Sequence, residues 1–110
     1  RLLRPIGAKV RTYSPARILD VSRDGLLLQL DHPLSPGDHH ELHIQLDGED
    51  LVVKAAVRRC WLQGAGRDAE GERIRYYRAG IEFEHPQPGL IEHLPEDSIL
   101  HVEVELPGQK

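Results

Sequence analysis

The stretch LDVSRDG, residues Leu19 to Gly25, joins the segment ARI to the apolar run LLLQL. An Asp-Gly pair between two apolar runs is a strong signal for a β-hairpin turn. Asp20 and Ser22 are also two residues apart, so on a strand both side chains point to the same side, where they could contact a ligand. The stretch predicts a hairpin and leaves open whether its polar residues serve folding or binding.

Alternation of apolar and polar residues continues outward from this stretch in both directions, which is typical of β-strands. The predicted strands are 8–13, 16–22, 26–30, 40–46, 51–62 and 74–84, followed by one or two helical turns in PGLIEHL and a final strand in SILHVEVEL. The turn-rich segments 32–38 and 47–50 are predicted loops, and 63–73 is predicted to be a mobile hairpin loop. Short strands need partners at both edges, so we expect an all-β fold, a small six-stranded antiparallel β-barrel.

The 110 residues leave room for one hydrophobic core. We expect an arginine-bearing flexible arm over residues 1–7, the β-barrel domain over 8–84, and a C-terminal extension over 85–110 with a short helix and a possible strand. Because the chain begins at Arg1 and contains no Met, we also expect it to be a piece of a longer protein.

The composition excludes several classes of protein. With 39% apolar and 29% charged residues the chain is typical of a soluble folded domain, and no apolar run approaches the roughly 20 residues of a membrane helix. A net charge of -4 argues against a general nucleic-acid binder, which needs a basic surface. Cys60 is the single cysteine, which argues against disulfides and favours the cytoplasm. We expect no cofactor.

Strict alternation through the opening stretch assigns its residues to two faces. Leu19 and Val21 would then fill the barrel. Asp20 and Ser22 would lie on the outer face, together with Ile18. An ionised carboxylate offers only acceptors and a hydroxyl offers both roles, which suits the donor edge of a guanine.

Here the chain resembles the PilZ family. The residues DVSRDG match that family's D/N-x-S-x-x-G motif, and in YRAGIEF the residues Gly80, Ile81 and Phe83 occupy the places of its downstream glycine and aromatic-ended strand. The resemblance extends from about Arg4 to Phe83. It implies a six-stranded β-barrel that binds cyclic di-GMP, a bacterial second messenger.

The family's other motif is R-x-x-x-R in an arm before the first strand, and this chain has RLLR there, one residue shorter. A guanidinium can grip a phosphate and can donate two parallel hydrogen bonds to guanine O6 and N7. Together the two motifs imply that the ligand-binding residues are Arg1, Arg4, Asp20, Ser22 and Gly25.

The resemblance implies a receptor without catalytic activity, whose arm becomes ordered on binding and acts on a neighbouring effector domain or a partner protein of motility, pilus or exopolysaccharide machinery. The short arginine motif keeps an alternative open, a degenerate PilZ-like domain that binds no nucleotide and serves as an adaptor between proteins. A regulatory domain cut from an enzyme or from a flagellar, pilus or polysaccharide machine is a third reading. Cys60 has no histidine near it in sequence and Ser22 has no base, so nothing indicates an enzyme.

Two further groups of residues invite interpretation. His39, Glu41 and His43 share one predicted strand face, but residues four apart on a strand are about 13 Å apart, so we expect no metal site. Arg59 and Trp61 share a face and could form a stacking patch with Arg58 nearby. If Val57 on that face is buried, however, Trp61 is expected to belong to the core.

Overall fold

The computed structural model describes residues 9–46, 48–94 and 99–107. Within these ranges, six antiparallel strands form a closed barrel in the order β1-β2-β5-β4-β3-β6. The elements are β1 (Lys9–Val21), β2 (Gly25–Leu30), β3 (His39–Leu46), β4 (Glu49–Arg67), β5 (Arg73–Phe83), α1 (Leu90–His93) and β6 (Ile99–Pro107). The predicted all-β, six-stranded fold is confirmed.

The barrel interior is filled by one cluster of apolar side chains to which every strand contributes. Leu28, Leu42 and Leu100 are fully buried at its centre, and Leu90 of α1 packs against the same cluster. Burying a side chain of this size stabilises the fold by about 1.5–3 kcal/mol. Among the described residues, no helix has the length and apolar composition needed to cross a membrane.

The first two predicted strands, 8–13 and 16–22, are one strand in the structure. β1 passes through Ser14 and Pro15 without a turn, and Pro15 lies opposite His101 of β6. The Ser-Pro pair was therefore a wrong indication of a break, because proline also adopts extended backbone where its missing N–H is not needed.

The sixth strand of the barrel is β6. It pairs with β1 along Lys9–Arg17 on one side and with β3 on the other. The sequence placed the barrel within 8–84 and gave the tail only a possible strand, whereas the structure makes Ile99–Pro107 part of the closed ring. A barrel of five strands would leave the edges of β1 and β3 unpaired, and β6 covers both.

The predicted loop 63–73 is much shorter than expected. β4 continues to Arg67 and β5 begins at Arg73, so the two strands form a hairpin closed by residues 68–72. Small residues make this extension possible, since Gly66 lies directly against the ring of Tyr76. The segment 63–73 has few apolar residues, so its sequence did not indicate strands. The strand pairing there depends on backbone hydrogen bonds, which do not require apolar side chains.

A β-bulge corrects the predicted faces of the opening stretch. Between Ile18 and Asp20 the register with β2 shifts by one residue, which leaves Leu19 as the extra residue. Ile18 is therefore buried in the core at 4% exposure, while Asp20 is exposed, although strict alternation put both on the outer face. Leu19 and Val21 are only partly buried.

A second bulge in β4 corrects the assignment of Trp61. The register with β5 shifts between Val57 and Arg59, so Val57 and Cys60 pack against the core while Arg59 and Trp61 share the outer face. Val57 is 1% exposed, but Trp61 is only half-buried and does not belong to the core cluster. The expectation that a buried Val57 would bring Trp61 into the core was therefore wrong.

Candidate ligand-binding site

The turn between β1 and β2 is built around the hydroxyl of Ser22. Ser22 Oγ accepts hydrogen bonds from the backbone N–H groups of Asp24 (3.3 Å) and Gly25 (3.2 Å) and donates to the carbonyl oxygen of Gly25 at 3.4 Å. The backbone N–H of Ser22 donates to the same carbonyl at 2.9 Å. Since both lone pairs and the proton are engaged, Ser22 shapes the turn rather than offering a free group to a ligand.

Two backbone hydrogen bonds hold the turn, one to the last residue of β5 and one to the segment that follows β5. The N–H of Phe83 donates to the carbonyl of Asp24 at 2.8 Å, and the N–H of Gln87 donates to the carbonyl of Arg23 at 2.7 Å. These bonds hold residues of the turn on a fixed scaffold, which reduces the ordering that ligand binding would require.

Gly25 is needed where β2 meets β5. It lies opposite Glu82, and a Cβ added to it would overlap the carbonyl oxygen of Ile81. Its backbone therefore faces a neighbouring strand at a distance that only glycine allows. The structure supplies a packing reason for a glycine at the end of the motif, independent of any ligand.

Asp20 remains available for binding. Its side chain is exposed, and Oδ1 accepts one hydrogen bond, from the N–H of Val21 at 2.9 Å. An ionised carboxylate has about four acceptor positions, so most of its capacity is left for the N–H groups of a ligand.

Asp20, Ser22 and Gly25 line one surface depression of about 400 Å³, which we call the β1–β2 hollow. Its other walls come from β2, β4 and β5, and the described lining residues are Asp20, Val21, Ser22, Asp24, Gly25, Leu26, Leu27, Arg58, Arg59, Gly80, Ile81 and Glu82. The volume lies within the range of small-molecule sites. The structure thus brings together three of the five residues predicted from sequence.

Two residues of this hollow, Arg58 and Arg59, were not in the predicted site. Arg59 lies opposite Gly80, and its side chain crosses the place where a Cβ on Gly80 would be, with Cγ at 3.2 Å and Nε at 3.3 Å. Its guanidinium lies over the ring of Trp61, 5.4 Å from the ring centre. Such a contact holds a planar cation in place, which suits stacking on a purine.

Arg58 is paired within the protein. Its Nε donates to Oε2 of Glu82 at 3.0 Å and a terminal nitrogen donates to Oε1 at 2.5 Å. The hydrogen bond from Arg58 lowers the pKa of Glu82, and the hydrogen bond to Glu82 raises the pKa of Arg58. Both side chains are exposed, so the pair is screened by solvent and a competing anion can displace the carboxylate.

The charge of the lining limits what the hollow can hold by itself. Its described residues carry three carboxylates, on Asp20, Asp24 and Glu82, and two guanidiniums, on Arg58 and Arg59. An anionic ligand would therefore meet no excess of positive charge there and needs further cations. Arg1 and Arg4, the predicted phosphate ligands, lie outside the described residues.

The comparisons with known proteins agree with this geometry at the level of the family. The family profile described as "PilZ domain" matches residues 6–99, which include the whole of the β1–β2 hollow. Curated proteins and solved structures gave no significant match to the chain. Since the profile covers well over half of the sequence, the chain belongs to the PilZ domain family.

Proposed function

We propose that this PilZ domain is a receptor that binds cyclic di-GMP in the β1–β2 hollow. The observation that carries the proposal is the convergence of the Asp20 carboxylate, the Ser22 turn and the Arg59 guanidinium on one hollow. Family membership supports it, because PilZ domains are ligand-binding receptor modules and are not typical enzymes.

The bases of the ligand would have matching groups in the hollow. The carboxylate of Asp20 would accept hydrogen bonds from the N1–H and N2–H donors of one guanine. Arg59, supported by Trp61, would stack on a purine, a contact worth about 0.5–2 kcal/mol. Ser22 and Gly25 would act by shaping the turn that positions Asp20.

The arm would supply the missing charge. Two phosphates add two negative charges to a lining that already has more carboxylates than guanidiniums. Arg4 and Arg1 would grip these phosphates through paired hydrogen bonds. Binding would order the arm against the barrel and change its direction relative to a neighbouring domain or partner, such as motility, pilus or exopolysaccharide machinery. We also propose a cytoplasmic location, because a chain with a single cysteine fits a reducing compartment.

The experiment is a calorimetric titration of the chain with cyclic di-GMP, alongside a longer version that carries any natural residues before Arg1. We expect micromolar or tighter binding to the wild type. Asp20→Ala and Arg4→Ala should each weaken the affinity at least tenfold, about 1.4 kcal/mol. Arg75→Ala is the matched control, since this exposed arginine of β5 does not line the hollow.

Cyclic di-AMP provides a control for the base. Adenine lacks the N1–H and N2–H donors of guanine. If Asp20 accepts hydrogen bonds from those donors, cyclic di-AMP should bind far more weakly than cyclic di-GMP. Equal affinity for both dinucleotides would contradict the role of Asp20. An absence of binding in both lengths of chain would overturn the receptor proposal and favour the adaptor between proteins.

A further inference from the structure

Three ionisable side chains meet on the outer face of the barrel, where β3 pairs with β6. Leu42 and Val102 are cross-strand partners that point into the core. The residues beside them, Glu41, His43 and Glu103, therefore lie on the outer face, and we call these three the seam cluster. None of them lines the β1–β2 hollow.

The ligand atoms of the seam cluster are close enough to share one ion. His43 Nε2 lies 3.4 Å from Oε2 of Glu103 and 3.8 Å from Oε1 of Glu41, and all three ligand atoms lie within 4.8 Å of one another. Zn²⁺ lies about 2.0–2.1 Å from nitrogen and oxygen ligands in a tetrahedral site. In that geometry two ligand atoms are about 3.3 Å apart. The shortest contact already has this spacing, and small rotations of the glutamates would bring the third atom in.

The other nitrogen of His43 faces a carboxylate. Nδ1 lies 3.4 Å from Oδ2 of Asp50, and the ring packs edge-on against Tyr13 with the ring centres 4.9 Å apart. A proton on Nδ1 shared with Asp50 leaves the lone pair on Nε2, directed at the two glutamates. Metal-binding histidines almost always donate the other ring N–H to a carboxylate, a backbone carbonyl or a water, which fixes the tautomer and the ring orientation.

A second observation concerns His43 Nε2 itself. The atom is fully buried and has no partner of hydrogen-bond geometry, although two carboxylates are close to it. Glu103 is 8% exposed, an unusual burial for a carboxylate on an outer face. A buried imidazole nitrogen beside two carboxylates offers one nitrogen and two oxygens, all of them donor types that Zn²⁺ accepts.

We propose that the seam cluster binds one divalent transition-metal ion, with Zn²⁺ as the test ion, through Nε2 of His43 and the carboxylates of Glu41 and Glu103, leaving a further position for water. Asp50 is the positioning residue. The site differs from the rejected His39–His43 pair, because its two β3 residues are only two apart and the third comes from β6. Sequence alone could not show that β6 lies beside β3.

The position of the site suggests what the ion does. Among the described residues, β3 and β6 are in register at two pairs, Leu42 with Val102 and His43 with His101, whereas β1 and β6 are in register at nine. The seam that closes the ring is therefore its shortest ladder. An ion held from both strands would fasten this seam and stabilise the folded chain in proportion to its occupancy.

The test is a titration of the metal-free chain with Zn²⁺ against a competing chromophoric chelator. We expect one equivalent to bind, with affinity reduced at least tenfold in His43→Gln and in Glu103→Gln. Asp50→Asn should weaken binding by about tenfold or more through the imidazole. Mg²⁺ should not compete, since it disfavours imidazole.

Surface histidines can bind zinc on their own, so the controls matter. His39→Gln, an exposed histidine of the same strand, should bind like the wild type. Far-UV circular dichroism checks that each variant folds, and Glu41→Gln replaces Glu103→Gln if the latter does not. No stoichiometric binding, or wild-type affinity in folded Glu41→Gln or Glu103→Gln protein, would overturn the proposal, as would an equal loss in His39→Gln.

Discussion

The substitution Gly25→Ala tests whether the glycine that ends the motif serves the fold or the ligand. In the structure an added Cβ would overlap the carbonyl oxygen of Ile81 and lie 3.1 Å from its carbonyl carbon and 3.3 Å from Cα of Glu82. All three atoms belong to the backbone of β5, so no side chain can rotate away. β2 would have to move away from β5 at the first pair of their ladder.

The expected cost follows from this overlap. Overpacking that moves backbone costs about 1–3 kcal/mol, and we expect the upper end, about 3 kcal/mol. With an unfolding entropy of about 2.1 cal/mol/K per residue, this lowers the Tm of a chain of this length by roughly 13 °C. Urea unfolding followed by circular dichroism measures the loss directly.

Gly64→Ala is the matched control. Gly64 also lies in a strand, β4, but a Cβ added to it meets nothing within 4 Å. This variant should stay within about 0.5 kcal/mol of the wild type. A Gly25→Ala protein that unfolds at the wild-type urea concentration would refute the packing argument. If that protein had also lost affinity for cyclic di-GMP, Gly25 would be assigned to ligand contact instead.

Four further predictions concern the hollow. Arg59→Ala should weaken cyclic di-GMP binding about tenfold in calorimetry, and Arg59→Lys should restore only part of it, because an ammonium does not stack. Trp61 is the single tryptophan, so its fluorescence should change on saturation with ligand in the wild type and not in Arg59→Ala. Glu82→Gln should tighten binding about two- to fivefold at low salt, because it frees Arg58 from its ion pair. Arg58 lowers the pKa of Glu82 below its ordinary value of 4.5, so any stability from this exposed pair is complete above that pH and is lost as the pH falls through the lowered pKa. Other carboxylates titrate in both proteins, so urea midpoints measured down to about pH 3 should fall slightly further in the wild type than in Glu82→Gln.

The turn could be predicted from the sequence because its chemistry is local. Ser22 bonds to the backbone two and three residues ahead, and these bonds depend on nothing outside LDVSRDG. The all-β class was also predictable, since alternation reflects one buried and one exposed side of each strand. Both features depend on near neighbours in the chain.

The bulges at Leu19 and Arg58, two of the three register shifts among the described strands, could not be predicted, because a register shift depends on the partner strand. The bulge at Leu19 reverses the faces of the residues before Asp20, and the one at Arg58 moves Trp61 out of the core. Strict alternation fails at both places for the same physical reason. One strand has an extra residue that has no counterpart on the neighbouring strand, so the side chains on either side of it change faces. Bulges often lie beside functional sites, and both of these border the β1–β2 hollow.

The site was predictable in part. Asp20 was found from its position in the motif, and the structure places it in the hollow. Arg59 was recognised only as part of a stacking patch, because its link to the hollow runs through Gly80 of a different strand. Two members of the seam cluster, Glu41 and His43, were noted from the sequence, but Glu103 gave no local signal because it follows Glu41 by more than sixty residues.

The continuity of β1 connects the β1–β2 hollow to the other end of the barrel. Lys9 begins the strand and Asp20 lies eleven residues later, about 36 Å along an extended chain. The five residues from Arg4 to Lys9 can span only about 18 Å. If the opening residues of β1 turned back, Arg4 would come closer to a ligand in the hollow at the cost of pairs with β6. Binding of cyclic di-GMP and pairing of β1 with β6 would then use the same backbone groups. Ligand binding would lower the stability of the closed barrel, and a more stable barrel would lower the affinity for the ligand.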